Sequence, residues 1–231
     1  MSEFSPEDAP RPVDLVAFDV DGTLIREDDG LTVWEVLNRE FVGDCRINRE
    51  RHRMFLDGKL SYAEWVALDI GGWQAAGATR ERIVAAFASL APIDGARPAL
   101  DTLAAFGVKL VVISGTLDLL LETLLPDAPF DEVYCNHIGF DEFGRISHWA
   151  ATPFDNRGKE KLLRAIALRE GIPLERCGFV GDSTNDRWIA RAAGLSVALN
   201  PRCDELERAA DVVLRARDLR DVLPCLLGRG S

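Results

Sequence analysis

Apolar and polar positions follow two different periods along this chain, and the changeover divides it. Residues 13–19 form a short apolar run closed by polar residues, the pattern of a buried strand. From about Leu31 to Leu90 apolar residues recur at spacings of three and four: Leu31, Trp34, Leu37 and Phe41; then Tyr62, Trp65 and Val66, with Asp69 continuing the row; then Ile83, Val84, Phe87 and Leu90. Gly71-Gly72 and Gly77 punctuate this stretch and Pro92 closes it, which predicts three or four short helices and no strand. Beyond it, helices are expected over 95–106, 117–125, 158–170, 185–193 and 219–227. Strands are expected over 108–113, 133–135, 177–180, 195–199 and 212–214, with a hairpin over 140–146 turning at Gly144.

Apolar strands alternating with helices predict an α/β fold, a parallel sheet with helices on both faces. Ligands of such sheets bind beyond the carboxyl ends of the strands. The expected organisation is an α/β core over 13–28 and 92–228, a small helical insert over 29–91, and a loose tail over 1–12, which holds three prolines. Composition narrows the function. The chain has 231 residues, 47% of them hydrophobic, ample for a buried core. A net charge of -11 argues against nucleic acid or an anionic membrane as partner, since both need a basic footprint. Five cysteines without a C-x-x-C pair give neither a zinc ribbon nor a disulfide framework. The N-terminus lacks the basic and apolar regions of a signal peptide, and no run is long enough to span a membrane, so a cytoplasmic location is expected.

The candidate chemistry lies at the strand ends. The first strand runs into Asp19-Val20-Asp21-Gly22-Thr23, two carboxylates two residues apart. Two unit charges about 4 Å apart repel by roughly 4 kcal/mol at an effective dielectric near 20, so a divalent cation is the simplest compensation. The strand at 108–113 runs into Ser114-Gly115-Thr116, and the strand at 177–180 into Gly181-Asp182-Ser183-Thr184-Asn185-Asp186. Lys159 opens the helix at 158, with Arg157 two residues earlier as the alternative cation. His52, His137 and His148 share no ligand spacing and are expected to be ordinary surface or loop histidines.

These four motifs, in this order, resemble the haloacid dehalogenase-like phosphatases, and the helical insert with the Gly-Asp-x-x-Asn-Asp ending resembles their phosphoserine phosphatase-like branch. The resemblance implies a Rossmann-like core with an inserted helical cap and a Mg2+-dependent phosphomonoester hydrolase working through an aspartyl-phosphate. It assigns attack on phosphorus to Asp19 and proton transfer to Asp21. Asp19, Asp182 and the Asp21 backbone carbonyl would bind Mg2+. Ser114 and Lys159, with the backbone around Asp21, Gly22 and Gly115, would hold the phosphoryl group, and Asn185 and Asp186 would support the metal's waters or the lysine.

Substrate recognition falls to the insert. Two positions that read serine's amine and carboxylate in phosphoserine phosphatases fall on Asp28, beside Glu27, and on Asp69, with Arg53 or Arg80 as substitutes for the second. An acid at the second position opposes a carboxylate. Asp28, Asp69 and the tryptophans Trp34, Trp65 and Trp73 would then suit a small amine-bearing phosphomonoester. Two other functions fit the same motifs: a phosphotransferase or mutase using the same aspartyl-phosphate, and a non-catalytic binding module keeping the fold.

Overall fold

A computed structural model describes residues 12–27, 30–153 and 157–228. The expected tail, apart from Pro12, and Asp28 lie outside the described residues. Strand β1 (Leu15–Phe18) is buried at every position and occupies the middle of a seven-stranded sheet. Two short strands, β2 (Ile25–Glu27) and β3 (Leu90–Pro92), pair antiparallel and were not legible in the sequence: three residues are too few to show a period.

Between β2 and β3 the chain forms four helices: α1 (Val33–Phe41), α2 (Arg46–Leu56), α3 (Tyr62–Ala75) and α4 (Arg80–Ala86). Thr32 with Glu35, and Ser61 with Glu64, make reciprocal capping boxes that start α1 and α3. Thr79 caps α4 through its side chain. The apolar rows predicted there fill the space between helices and core: Leu37, Ile70, Trp73 and Ile83 are wholly buried.

The remainder is α5 (Ala96–Ala105), β4 (Lys109–Leu117), α6 (Asp118–Leu124), β5 (Glu132–Phe140), β6 (Ile146–Ala150), α7 (Arg157–Glu170), β7 (Cys177–Gly181), α8 (Arg187–Ala192), β8 (Leu195–Leu199), α9 (Asp204–Glu207), β9 (Val212–Leu214) and α10 (Leu223–Leu227). It alternates as expected except that α9 is unforeseen and β5 and β6 run well beyond the expected strand at 133–135 and hairpin at 140–146. The sheet order is β6-β5-β4-β1-β7-β8-β9, and every pair is parallel except β5–β6. Alternate residues of β1 face opposite layers. Val16 and Phe18 pack with Leu100 and Leu103 of α5 and Leu226 of α10, whereas Leu15 and Ala17 pack with Leu163 and Ile166 of α7 and Ile189 of α8. The predicted helices at 185 and 219 each begin as a 3-10 turn, at Thr184–Asp186 and Leu219–Val222. Among the described residues no helix is long and apolar enough to cross a membrane.

Candidate active site

Strand register brings the motifs together. Phe18 of β1 pairs with Val112 of β4 on one side and Val180 of β7 on the other, so Asp19, Ser114 and Asp182 emerge at one level on the sheet's rim. They line one cavity of about 240 Å3 with Asp21, Gly115, Thr116 and Asn185, and with Thr32, Trp34, Asn48, His52, Tyr62, Trp65 and Val66 from the helical insert.

Lys159, the third residue of α7, is fully buried beneath it. Its Nζ donates to Asp19 Oδ1 and to Asp186 Oδ1, both at 2.7 Å. Burial works against the ammonium, but Asp186 and Asp19 outweigh it and hold the amine above its usual range. The other Asp186 oxygen accepts the backbone N–H groups of Asp182 and Ser183, each at 3.1 Å. Arg157, the alternative cation, lies instead over the Trp188 ring, 4.3 Å from its centroid.

Asp21 Oδ1 accepts the backbone N–H of Val33, the first residue of α1, at 2.9 Å. Burial pushes this carboxyl up to about 6, against that hydrogen bond and with help from the Asp19 charge. Ser114 Oγ accepts the Thr116 N–H at 3.2 Å, which leaves the hydroxyl proton available to a ligand.

Carboxylate oxygens of Asp19, Asp182 and Asp186 lie within 4.8 Å of one another. A divalent cation fits this cluster on two observations. Asp182 Oδ1 is buried and accepts no hydrogen bond among the described residues, while Oδ2 meets the Arg202 guanidinium in an ion pair; burial together with the Asp19 charge raises its carboxyl well above the usual range. Asp186 has both oxygens engaged, so Asp19 and Asp182 are the better ligands. Gly22, at φ +88°, makes the approach possible: a Cβ there would collide with the Asp182 carboxylate.

Arg202 and Asn136 gave no signal in the sequence, and Trp34 was expected only as an aromatic face for the substrate. Arg202, just past β8, sets its Nε 2.7 Å from Asp182 Oδ2 and donates from Nη1 to Gly30 O at 3.0 Å. It follows the carboxyl end of a strand, the position that singled out the other motifs. Trp34 Nε1 and Asn136 Nδ2 both donate to the Gly115 carbonyl, at 2.8 and 2.7 Å, and Asn136 also donates to Tyr62 Oη at 2.7 Å. His52, expected to be an ordinary histidine, lines the cavity and stacks on Trp65 with centroids 5.6 Å apart.

Asp69 corrects an expectation. It does not line the cavity; it is fully buried among the insert helices, where it accepts from Asn38 Nδ2 at 2.8 Å and pairs with Arg51. Trp73 is likewise interior, donating to Asn38 Oδ1 at 2.7 Å. Asp69 lies on α3's buried face with Trp65, Val66, Ile70 and Trp73, and spacing alone does not separate a core position from a pocket position on such a face. Arg53 and Arg80 do not line the cavity either. The Asp28 assignment falls outside the described residues.

The chain is similar to known proteins in sequence and in fold. A phosphoserine phosphatase of Methanocaldococcus jannaschii is 25% identical over 211 residues, 90% of this chain and 95% of that one. Phosphoserine phosphatase SerB2 of Mycobacterium tuberculosis is 30% identical over 210 residues, 90% of this chain; the chain spans about half of that relative, 49%. A solved phospho-aspartyl intermediate analogue of phosphoserine phosphatase superposes with a TM-score of 0.74 at 24% identity, covering 94% of this chain and all of the other, a likeness of fold. The family model of the haloacid dehalogenase-like hydrolases matches residues 16–191, and the chain belongs to that family.

Proposed function

We propose that this protein is a Mg2+-dependent phosphomonoesterase that hydrolyses a small amine-bearing phosphate through a phosphoaspartate at Asp19. The observation that carries this reading is the convergence of Asp19, Asp21, Ser114 and Asp182 on one cavity above the buried Lys159. Lys159 holds one oxygen of Asp19 and so directs the other at phosphorus. Attack forms the Asp19–phosphorus bond and breaks the bond to the substrate oxygen. Asp21, with its carboxyl raised to about 6, donates the proton that oxygen needs and then takes one from the hydrolytic water. The Ser114 hydroxyl and the Gly115 N–H receive the phosphoryl oxygens. Asp19 and Asp182 would hold the cation, which when bound neutralises the phosphoryl group and lets two anions meet.

Helices α1–α4 act in this reading as a cap, closing the cavity with aromatic side chains. Among the described residues the cap side of the cavity carries Trp34, Tyr62 and Trp65 beside Asn48 and His52, with no arginine or lysine; Arg202 lines the cavity from the core side, where it pairs with Asp182. The indole faces of Trp34 and Trp65 suit an ammonium group. The relatives named phosphoserine phosphatase make phosphoserine the natural competitor.

The test is phosphate release from phosphoethanolamine, phosphocholine, phosphoserine, sugar phosphates and nucleotides, with Mg2+ and with chelator. Amino-alcohol phosphates should lead, and Asp19→Asn or chelation should stop release. Turnover of phosphoserine equal to or better than theirs would overturn the substrate assignment. Release that survives Asp19→Asn would overturn the mechanism.

A further inference from the structure

The strands β5 and β6, on the far side of β4 from the first strand, bring together two histidines eleven residues apart in sequence. His137 and His148 face each other through their Nε2 atoms at 3.3 Å. Each ring is held from behind. His137 Nδ1 bonds Asp118 Oδ2, and the other oxygen of Asp118 is fixed by the Leu119 N–H at 2.8 Å and the Ile138 N–H at 3.3 Å. His148 Nδ1 bonds Ser147 Oγ at 2.9 Å. The backbone is shaped to the pair as well. Gly139 lies directly across the ladder from His148, and a Cβ there would occupy the His148 ring. The missing side chain is what allows the ring to lie back toward His137, which is two residues away on the same face of β5.

From this geometry we propose a second metal site, unrelated to the carboxylate cluster: a two-histidine site for a divalent transition metal of the zinc class, completed by water. The spacing fits the chemistry. Two metal–nitrogen bonds of 2.0–2.1 Å meeting at a tetrahedral angle place their nitrogens about 3.3–3.4 Å apart. The backing groups fit too. With the Nδ1 protons donated to Asp118 and to Ser147 Oγ, both Nε2 lone pairs point at one shared point, the carboxylate–histidine–metal arrangement on the His137 side. With Ser147 donating to His148 Nδ1 and His148 Nε2–H donating to His137 Nε2 the pair is satisfied without a metal, and metal binding calls for the other tautomer of His148. Imidazole donors favour zinc-class ions over magnesium, whose preference is for oxygen, so the two sites select different ions. The pair is open to solvent, with the His137 side chain 49% exposed.

The chain has three histidines, which makes a direct test practical. Zn2+ is titrated into the full-length protein in excess Mg2+, and the imidazole nitrogens are followed by two-bond 1H–15N spectra. The His137 and His148 Nε2 signals should move together and saturate at one equivalent, with His52 as internal reference. His148→Gln should abolish the movement of His137 and weaken Zn2+ at this site at least tenfold, with phosphate release in Mg2+ alone unchanged. Asp118→Asn should weaken it about 10- to 100-fold. Rings that stay unmoved through several equivalents, or a His137 shift that persists in His148→Gln, would show that the two rings only hydrogen-bond to each other and would overturn the site.

Discussion

Asp21, the acid of the proposed mechanism, is tied by Oδ1 to the first N–H of α1, and one substitution separates its proton from its position. Asp21→Asn keeps an acceptor for Val33 but cannot donate to a leaving oxygen. Turnover of an alkyl phosphomonoester should fall about 10²- to 10⁴-fold, while p-nitrophenyl phosphate, whose leaving group needs little proton, should lose far less. The ratio of the two rates is the measurement, and an equal loss on both substrates would remove the acid role. At this scale the sequence was informative where chemistry demands a residue type at a strand end, as for Asp19, Ser114 and Asp182. It was silent about Arg202 and Asn136, whose roles depend on neighbours far away in the chain, 20 residues for Arg202–Asp182 and 21 for Asn136–Gly115.

Helix α1 couples the insert to the core through backbone and side chain together. Trp34 Nε1 holds the Gly115 carbonyl, whose own peptide plane sets the direction of the Thr116 N–H. Trp34→Phe removes that donor and keeps an aromatic ring against Trp73, now 5.2 Å away between centroids. Loss of about 1 kcal/mol is expected, read as about a fivefold fall in kcat/KM with the far-ultraviolet spectrum unchanged. Helix α3 makes the opposite prediction. Asp69 is bonded inside the insert, so Asp69→Asn should cost about 1–3 kcal/mol in denaturant unfolding through its bonds to Arg51 and Asn38. It should leave the ratio of phosphoethanolamine to phosphoserine turnover where it was; a shifted ratio would return Asp69 to the substrate. The longer helices and strands were legible from their periods, and the three-residue strands β2 and β3 were not. Which face of α3 meets the cavity was not, because Trp65, Val66, Asp69, Ile70 and Trp73 are all buried and the helix has almost no polar side to orient it.

Across the whole molecule, function and stability oppose each other at the centre of the sheet. Asp19 and Asp186 are buried carboxylates that share one buried lysine. Lys159→Met leaves both without their cation and should destabilise the fold by about 3–5 kcal/mol in denaturant unfolding without metal. Saturating Mg2+ should return part of that loss, since a ligand bound only by the native state stabilises it by about 2.7 kcal/mol at a hundred times its Kd. No recovery with Mg2+ would mean that Asp19 and Asp182 do not hold the ion.

The strand order has a consequence for biosynthesis. Among the described strands β1 is the first made and the central one of the sheet, and its neighbour β7 ends at Gly181. A ribosome adding about 5–20 residues per second needs roughly 8–33 s to travel from Phe18 to Gly181. Through that interval the nascent chain carries an apolar strand and a pair of unneutralised acids with one flank still unbuilt. The proposed site is therefore incomplete until β7 has been made, and a chain released before then lacks Asp182 and Asp186.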